Sequence, residues 1–240
     1  MNNMMAMQVT VEVGKLGIRV PAQPLTQEAF APFGDVITNP RPHIHPAAFS
    51  AHTDSLPSNA ISANQGTAIQ YRDVSSIKNF YSQAPSGRGS PKMSMFVCAA
   101  RELQPSPIGF NEATFNVSLM ERHPYTTQTF TPVSSSASQY LVIVAPNLPP
   151  GPKDSRLPVP TGDGLPGRGL PDVLGLKAFV GESNQAVTYG VGTWHAPMVT
   201  LGQPGTALDF VVFQFASGEA IEDCQIVPLN FGPKRTKSHV

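Results

Sequence analysis

The sequence predicts an all-β protein, a sandwich or barrel of short antiparallel strands, on three grounds. Helical signals are scarce, short apolar runs recur along the whole chain, and proline and glycine are in excess. The 240 residues include 25 Pro and 20 Gly, above ordinary usage of about 5% and 7%. Charged residues make up 13%, against about 25% in a typical soluble domain, which favours strands and turns over long solvated helices. Hydrophobic residues reach 40% and formal net charge is zero, the opposite of the balance that keeps a chain disordered.

Taken in order, the first element is one short helix. Thr26 is its N-cap and Gln27, Glu28, Ala29, Phe30 and Ala31 follow, with Pro32 arriving too soon for a second comfortable turn. Residues 33–65 are polar, rich in Pro and Ser and without a period, so they read as an extended loop region. His43, His45 and His52 fall there; the His43 and His45 pair is flanked by Pro42 and Pro46 and lacks nearby carboxylates or thiols. They read as exposed loop histidines with no role. Strand-like runs follow at 68–71, 93–99, 114–122, 128–133, 140–145, 177–180, 186–189, 198–201 and 208–215. Between the fifth and sixth lies 146–172, with eight prolines and five glycines and no alternation. It reads as a long surface loop insertion, expected to be dispensable for stability. Neither half of the strand set looks independent and no fixed-period repeat is visible, so residues 1–240 are expected to form a single domain.

Sixteen basic and sixteen acidic residues leave no surplus charge to hold a phosphate backbone, which argues against nucleic acid as partner. The balance gives no hint of anionic membranes either. The longest apolar runs, 140–145 and 210–216, fall far short of the roughly 20 residues that cross a bilayer. No positive region followed by an apolar stretch opens the chain, so no secretory signal is expected. Cys98 and Cys224 cannot make a disulfide framework and read as reduced core thiols. A cytoplasmic location is expected. Ser238, His239 and Val240 resemble a peroxisomal tail without its final Leu, which makes the peroxisome a minor alternative.

The chemistry concentrates in 115–132, F-N-V-S-L-M-E-R-H-P-Y-T-T-Q-T-F-T-P. Strand alternation puts Val117, Leu119, Glu121 and His123 on one face, so an acid and an imidazole end a row that starts apolar. Pro124 then breaks the ladder and Gln128 opens the next strand. The spacing Glu-x-His-x-x-x-x-Gln is similar to the first metal motif of the cupin superfamily. Glu121 then stands for the first His, His123 for the second and Gln128 for the Glu, while His195 in G-T-W-H-A-P stands for the later His.

Further segments make the resemblance specific. L-T-Q-E-A-F-A-P-F-G-D-V-I, M-E-R-H-P-x-x-x-Q-x-F-x-P, Y-L-V-I-V-A-P, L-K-A-F, Y-x-x-G-x-W-H-A-P, D-F-V-V-F and D-C run in order from Leu25 to Cys224. Together they resemble the ureidoglycolate lyase family. That resemblance implies a cupin-like, jelly-roll-type antiparallel β-barrel, commonly dimeric, that cleaves ureidoglycolate into glyoxylate and urea in purine (allantoin) breakdown. It implies a carbon–nitrogen lyase of the amidine type acting as a homodimer. Compact family members lack most of 146–172, so no role for that segment follows from the resemblance.

Elimination from such a carbinolamine needs a base at the hydroxyl and help for the departing urea. His123 and His195 suit either task near neutral pH, and Glu121 suits the base or an imidazole-orienting anion. Gln128 matches the donors and acceptor of a ureido group, and Tyr189 and Asp209 lie near His195 in the motif map as candidate substrate contacts. A divalent metal, Ni, Mn or Fe(II), on Glu121, His123, Gln128 and His195 remains open. For the substrate carboxylate, Arg72, Lys92, Arg101 and Arg122 are all candidates, although parity puts Arg122 opposite His123. The competing functions are a metal-dependent cupin oxygenase or isomerase and a non-catalytic small-molecule-binding cupin.

Overall fold

The structure is a computed structural model and describes residues 11–12, 18–105 and 113–230. The tail at 238–240 lies outside the described residues. In chain order the strands are β1 (Val11–Glu12), β2 (Ala22–Pro24), β3 (Gly34–Ile37), β4 (Ala60–Ala63), β5 (Ala68–Tyr71), β6 (Ser90–Ala99), β7 (Gln104–Pro105) and β8 (Ala113–Thr114). They continue as β9 (Leu119–Arg122), β10 (Gln128–Val133), β11 (Gln139–Ala145), β12 (Lys177–Glu182), β13 (Ala186–Tyr189), β14 (Trp194–His195), β15 (Val199–Leu201), β16 (Ala207–Ala216) and β17 (Gln225–Asn230). Two short α-helices, α1 (Gln27–Phe30) and α2 (Ala220–Asp223), accompany them. The protein is therefore all-β, as composition and strand pattern predict. The Thr26 side chain accepts from Ala29 N–H as the N-cap of α1.

Two sheets carry the architecture. One has the order β1-β17-β9-β14-β11-β12-β2, with β15 also on β11, and the other β3-β13-β10-β16-β6. Pairing is antiparallel except at β1/β17 and β2/β12. Their facing sides enclose one core of Phe30, Phe33, Phe130, Tyr140, Val142, Val144, Phe179, Val187, Tyr189, Leu208, Phe210 and Val212. Aromatic rings cross between the sheets edge to face, as Tyr140 does with Phe210 at 5.4 Å.

The first sheet is buried on its outer side as well. Leu141, Ile143 and Ala145 alternate with the core residues of β11 and join Met120, Trp194, Val199, Val227 and Leu229 in a second cluster. Burial on both faces explains why β11 reads as an unbroken apolar run rather than an alternating one.

What covers that outer side is 146–172, and here the expected surface loop has to be corrected. Leu157 and Leu170 are buried in the second cluster, and Asp154 and Pro171 are buried too. The segment makes few regular hydrogen bonds, so its lack of periodicity said nothing about burial. Arg122 is fully buried and donates to the carbonyls of Gly167, Arg168 and Gly169 and to Gln225 Oε1 at 2.8–3.2 Å. Its guanidinium lies 4.5 Å from the Trp194 ring, and the Trp194 indole N–H donates to Gly169 O at 2.9 Å. A Cβ on Gly169 would meet Leu148 O at 1.6 Å, so only glycine brings this carbonyl close enough. Removing the donors would leave buried carbonyls unpaired, at about 1–3 kcal/mol each.

Two further expectations change. The loop region 33–65 contains β3 and β4 and a 3-10 turn at Pro46–Ala51; four-residue strands are too short to display a period. The strand expected over 114–122 is split into β8 and β9. β14 and β17 were not anticipated, the first because it has two residues, the second because it contains Pro228, a residue that weakens a strand reading.

Candidate active site

β9 and β14 lie side by side with His195 directly opposite Glu121. Alternation then decides everything about this strand pair. Arg122 and Trp194 face outward, while Glu121, His123 and His195 face the space between the sheets. The donor atoms of these three residues all lie within 4.8 Å of one another. Tyr189 and Gln128 join them from the opposite sheet, where they are paired across β13 and β10. The Tyr189 ring stacks on the His195 imidazole at 4.0 Å and 11°.

Both imidazoles are held by backbone. His123 Nδ1 meets Asp223 O at 2.6 Å, and His195 Nδ1 meets Thr193 O at 2.9 Å. A carbonyl can only accept, so each Nδ1 carries the proton and each Nε2 presents a lone pair. Both Nε2 atoms are buried and have no hydrogen-bond partner among the described residues. Burial lowers both pKa values, that of His195 to about 3 with the His123 charge adding to the effect. Both shifts favour the neutral rings at pH 7, each with Nε2 as an acceptor.

Glu121 is the accessible member, with its side chain 24% exposed, and its Oε1 sits 3.7 Å from His195 Nε2. Burial raises its pKa, partly offset by the Cys224 thiol, which is 3.9 Å from Oε2. Burial also pushes the Cys224 thiol up to about 12, so it stays a protonated donor. A carboxylate oxygen and an imidazole lone pair thus face each other with no hydrogen between them. Two acceptors in that position call for a proton, a cation or a ligand's donor group to bridge them.

Gln128 is buried, and its Nε2 donates to Gln214 Oε1 at 2.6 Å. Its own Oε1 has no partner, and its side chain lies against His123 and favours the charged ring. Gln214 was not foreseen; its only sequence signal is its place in β16. Asp209, by contrast, is not brought to the site. It pairs with Val133 and Val97, five residues along β16 from Gln214, and its N–H is bound by Ser135 Oγ. Proximity in sequence to a motif misled because a strand extends about 3.4 Å per residue.

A strand-borne pair of buried imidazoles beside a carboxylate of raised pKa, inside a two-sheet all-β fold, is a donor set that could serve acid–base chemistry or hold a metal ion. The model of the ureidoglycolate lyase family matches residues 18–232, and the chain belongs to that family. A ureidoglycolate lyase of Schizosaccharomyces pombe is 36% identical over 211 residues, covering 87% of this chain and 90% of that protein. One of Saccharomyces cerevisiae is 33% identical, covering 83% and 87%, and one of Burkholderia mallei is 30% identical, covering 79% and 78%.

Proposed function

We propose that the protein cleaves ureidoglycolate to glyoxylate and urea, as a carbon–nitrogen lyase of the amidine type in purine breakdown. The observation that carries this reading, beside family membership, is the bare acceptor set of Glu121, His123 and His195 between the sheets. The substrate's hydroxyl and ureido N–H groups are the donors such a set lacks.

Glu121 takes the hydroxyl proton as C2=O forms; a raised pKa makes its carboxylate a stronger base and brings it nearer the operating pH, where one group can take up and return a proton. The C2–N bond breaks with its electron pair moving to the ureido nitrogen, and Glu121 returns the same proton there, releasing urea. No other proton is needed. The Nε2 lone pairs of His123 and His195 hold the donors of the reacting group, and Gln128 Oε1 accepts from the ureido end.

The donor set also fits a divalent metal, because two buried imidazole lone pairs and a carboxylate converge with no partner. Glu121, His123 and His195 would hold Ni, Mn or Fe(II), with Gln128 Oε1 as a weak fourth ligand. Such an ion supplies Lewis acidity to the hydroxyl oxygen.

The cupin-like barrel within a single domain and the cytoplasmic location belong to the same reading. So does the homodimer, supported by β6, the edge strand of the second sheet among the described residues, with Met93, Met95 and Val97 exposed by 73%, 58% and 69%. Light scattering tests it: a dimer is expected, and a mass near 25.6 kDa at micromolar concentration overturns it. The function is tested by incubation with ureidoglycolate before and after chelation. Equal amounts of urea and glyoxylate are expected; ammonia and carbon dioxide instead of urea would remove the lyase reading.

A further inference from the structure

Four basic residues compete for the substrate's carboxylate, and the structure separates them. Arg122 points away from the site and is committed to four oxygens on the outer side. Arg101 lies beyond the far end of β6, over the Phe115 ring at 5.3 Å, two residues past Ala99, which pairs with Ala207. Arg72 follows β5 and is tied by its backbone to Asn59. The chain after it runs along the outer side of the second sheet, where Ser75 binds Asp35 and Thr188.

Lys92 is placed differently. On the inner side of the second sheet, one cross-strand row runs Tyr189, Gln128, Gln214, Lys92. Tyr189 is opposite Gln128, the two glutamines are bonded at 2.6 Å, and Gln214 is opposite Lys92. Directly opposed residues share a face. The parity is independently fixed by Phe96, four residues along β6, whose ring packs on core Phe130 at 5.6 Å. Strands are about 4.8 Å apart, so Lys92 stands about two spacings from Gln128, within the sweep of a four-carbon stem turned inward. The buried end of the row already points to a ligand, because Gln128 Oε1 is orphaned and faces His123. Gln214 fixes which way Gln128 presents its amide: with the Gln128 NH2 engaged, the acceptor is left for the ligand. Lys92 is exposed and has no ion pair among the described residues.

We infer that Gln128, Gln214 and Lys92 form the recognition arm of the site, in which Lys92 binds the carboxylate of a small 2-oxo or 2-hydroxy acid and Gln214 positions Gln128. The inference rests on the lyase reading for its substrate but not for its geometry. Its distinguishing consequence is that Lys92 contributes binding without chemistry.

The test compares Lys92→Met and Lys92→Arg with the unaltered protein. For ureidoglycolate, Lys92→Met is expected to raise KM about 10-fold with kcat within threefold, and Lys92→Arg to restore most of it. In parallel, calorimetry with glyoxylate alone measures carboxylate binding whether or not the protein is a lyase. Lys92→Met is expected to weaken it about 10-fold, with binding in the unaltered protein weakening as salt rises. Gln214→Met is expected to raise KM for ureidoglycolate while leaving glyoxylate binding within twofold, because it frees the Gln128 amide and not the ammonium. An unchanged glyoxylate affinity in Lys92→Met overturns the assignment even if the protein is active. Absence of turnover with Lys92-dependent glyoxylate binding overturns the lyase reading and leaves the arm standing.

Discussion

The two faces of the β9/β14 strand pair hold the same kinds of group and do opposite things with them. Outward, the Arg122 guanidinium is fully buried, yet it gives hydrogen bonds to three loop carbonyls and Gln225 and lies over Trp194. Inward, His123 and His195 are equally buried, yet each leaves Nε2 unpaired beside the Glu121 carboxylate. Burying a polar group is costly unless it is paired. The matched face is therefore an anchor, and the unmatched face carries the bare acceptors on which the proposed function rests. Burial alone would not have told them apart.

The largest effect expected from breaking the comparison is on the outward face. Replacing 147–170 by a short Gly/Ser linker strips Arg122 of its three loop acceptors and Trp194 of its one, and removes cover from the second cluster. Two buried leucines alone account for about 3–6 kcal/mol, and 1 kcal/mol shifts Tm by about 2–4 °C at this size. Calorimetry is expected to show Tm lowered by at least about 10 °C or no cooperative unfolding. A shift of three degrees or less would restore the view of the segment as a spacer.

Next comes Arg122→Met, which keeps an apolar stem and removes the donors. Stability in urea is expected to fall by about 3–5 kcal/mol, from several acceptors left unpaired at about 1–3 kcal/mol each. A loss below 1 kcal/mol would mean that water reaches these carbonyls readily and the anchor is incidental. Gly192 links the faces, since its N–H donates to His123 O and Pro166 sits close against it.

Substitutions on the inward face are expected to reverse the pattern, sparing stability and removing turnover. His123→Ala and His195→Ala should each lower kcat by about 100-fold, or about 2.7 kcal/mol at 1.36 kcal/mol per tenfold, with Tm within about 3 °C. Glu121→Gln keeps shape and removes basicity, so steady-state kinetics should show at least as large a loss at similar KM. Near-normal turnover in any folded variant takes that residue out of the mechanism.

The smallest effect is on pH dependence, measured in chelator so that only protons compete for the rings. His195 has a native pKa near 3 against an ordinary value of 6.5, so between these values the unfolded chain binds the extra proton. Its contribution is intact above about pH 6.5 and is lost as pH falls toward 3, by at most about 1.4 kcal/mol per unit. Glu121, with a raised pKa, acts in the opposite sense as pH rises above the usual carboxylate range. The difference between the unaltered protein and His195→Gln isolates the imidazole. Parallel urea-unfolding curves at pH 6 and pH 4.5 would show that His195 is protonated in the fold.

Composition and short-range pattern were enough for the strand-rich class, for the Thr26 cap, and for an acid and an imidazole, Glu121 and His123, on one strand face, while His195 entered only through the family resemblance. Strand alternation from Val117 to His123 also separated Arg122 from its neighbours. These are properties of a residue and its near neighbours in sequence, and period-2 geometry transmits them directly. What covers Arg122, that Gln214 locks Gln128, that Asp209 lies five residues from the site and that Lys92 shares its face were decided only by tertiary structure. Register between strands far apart in sequence and the path of an aperiodic segment arise from long-range burial and hydrogen-bond matching, which leave no local period to read.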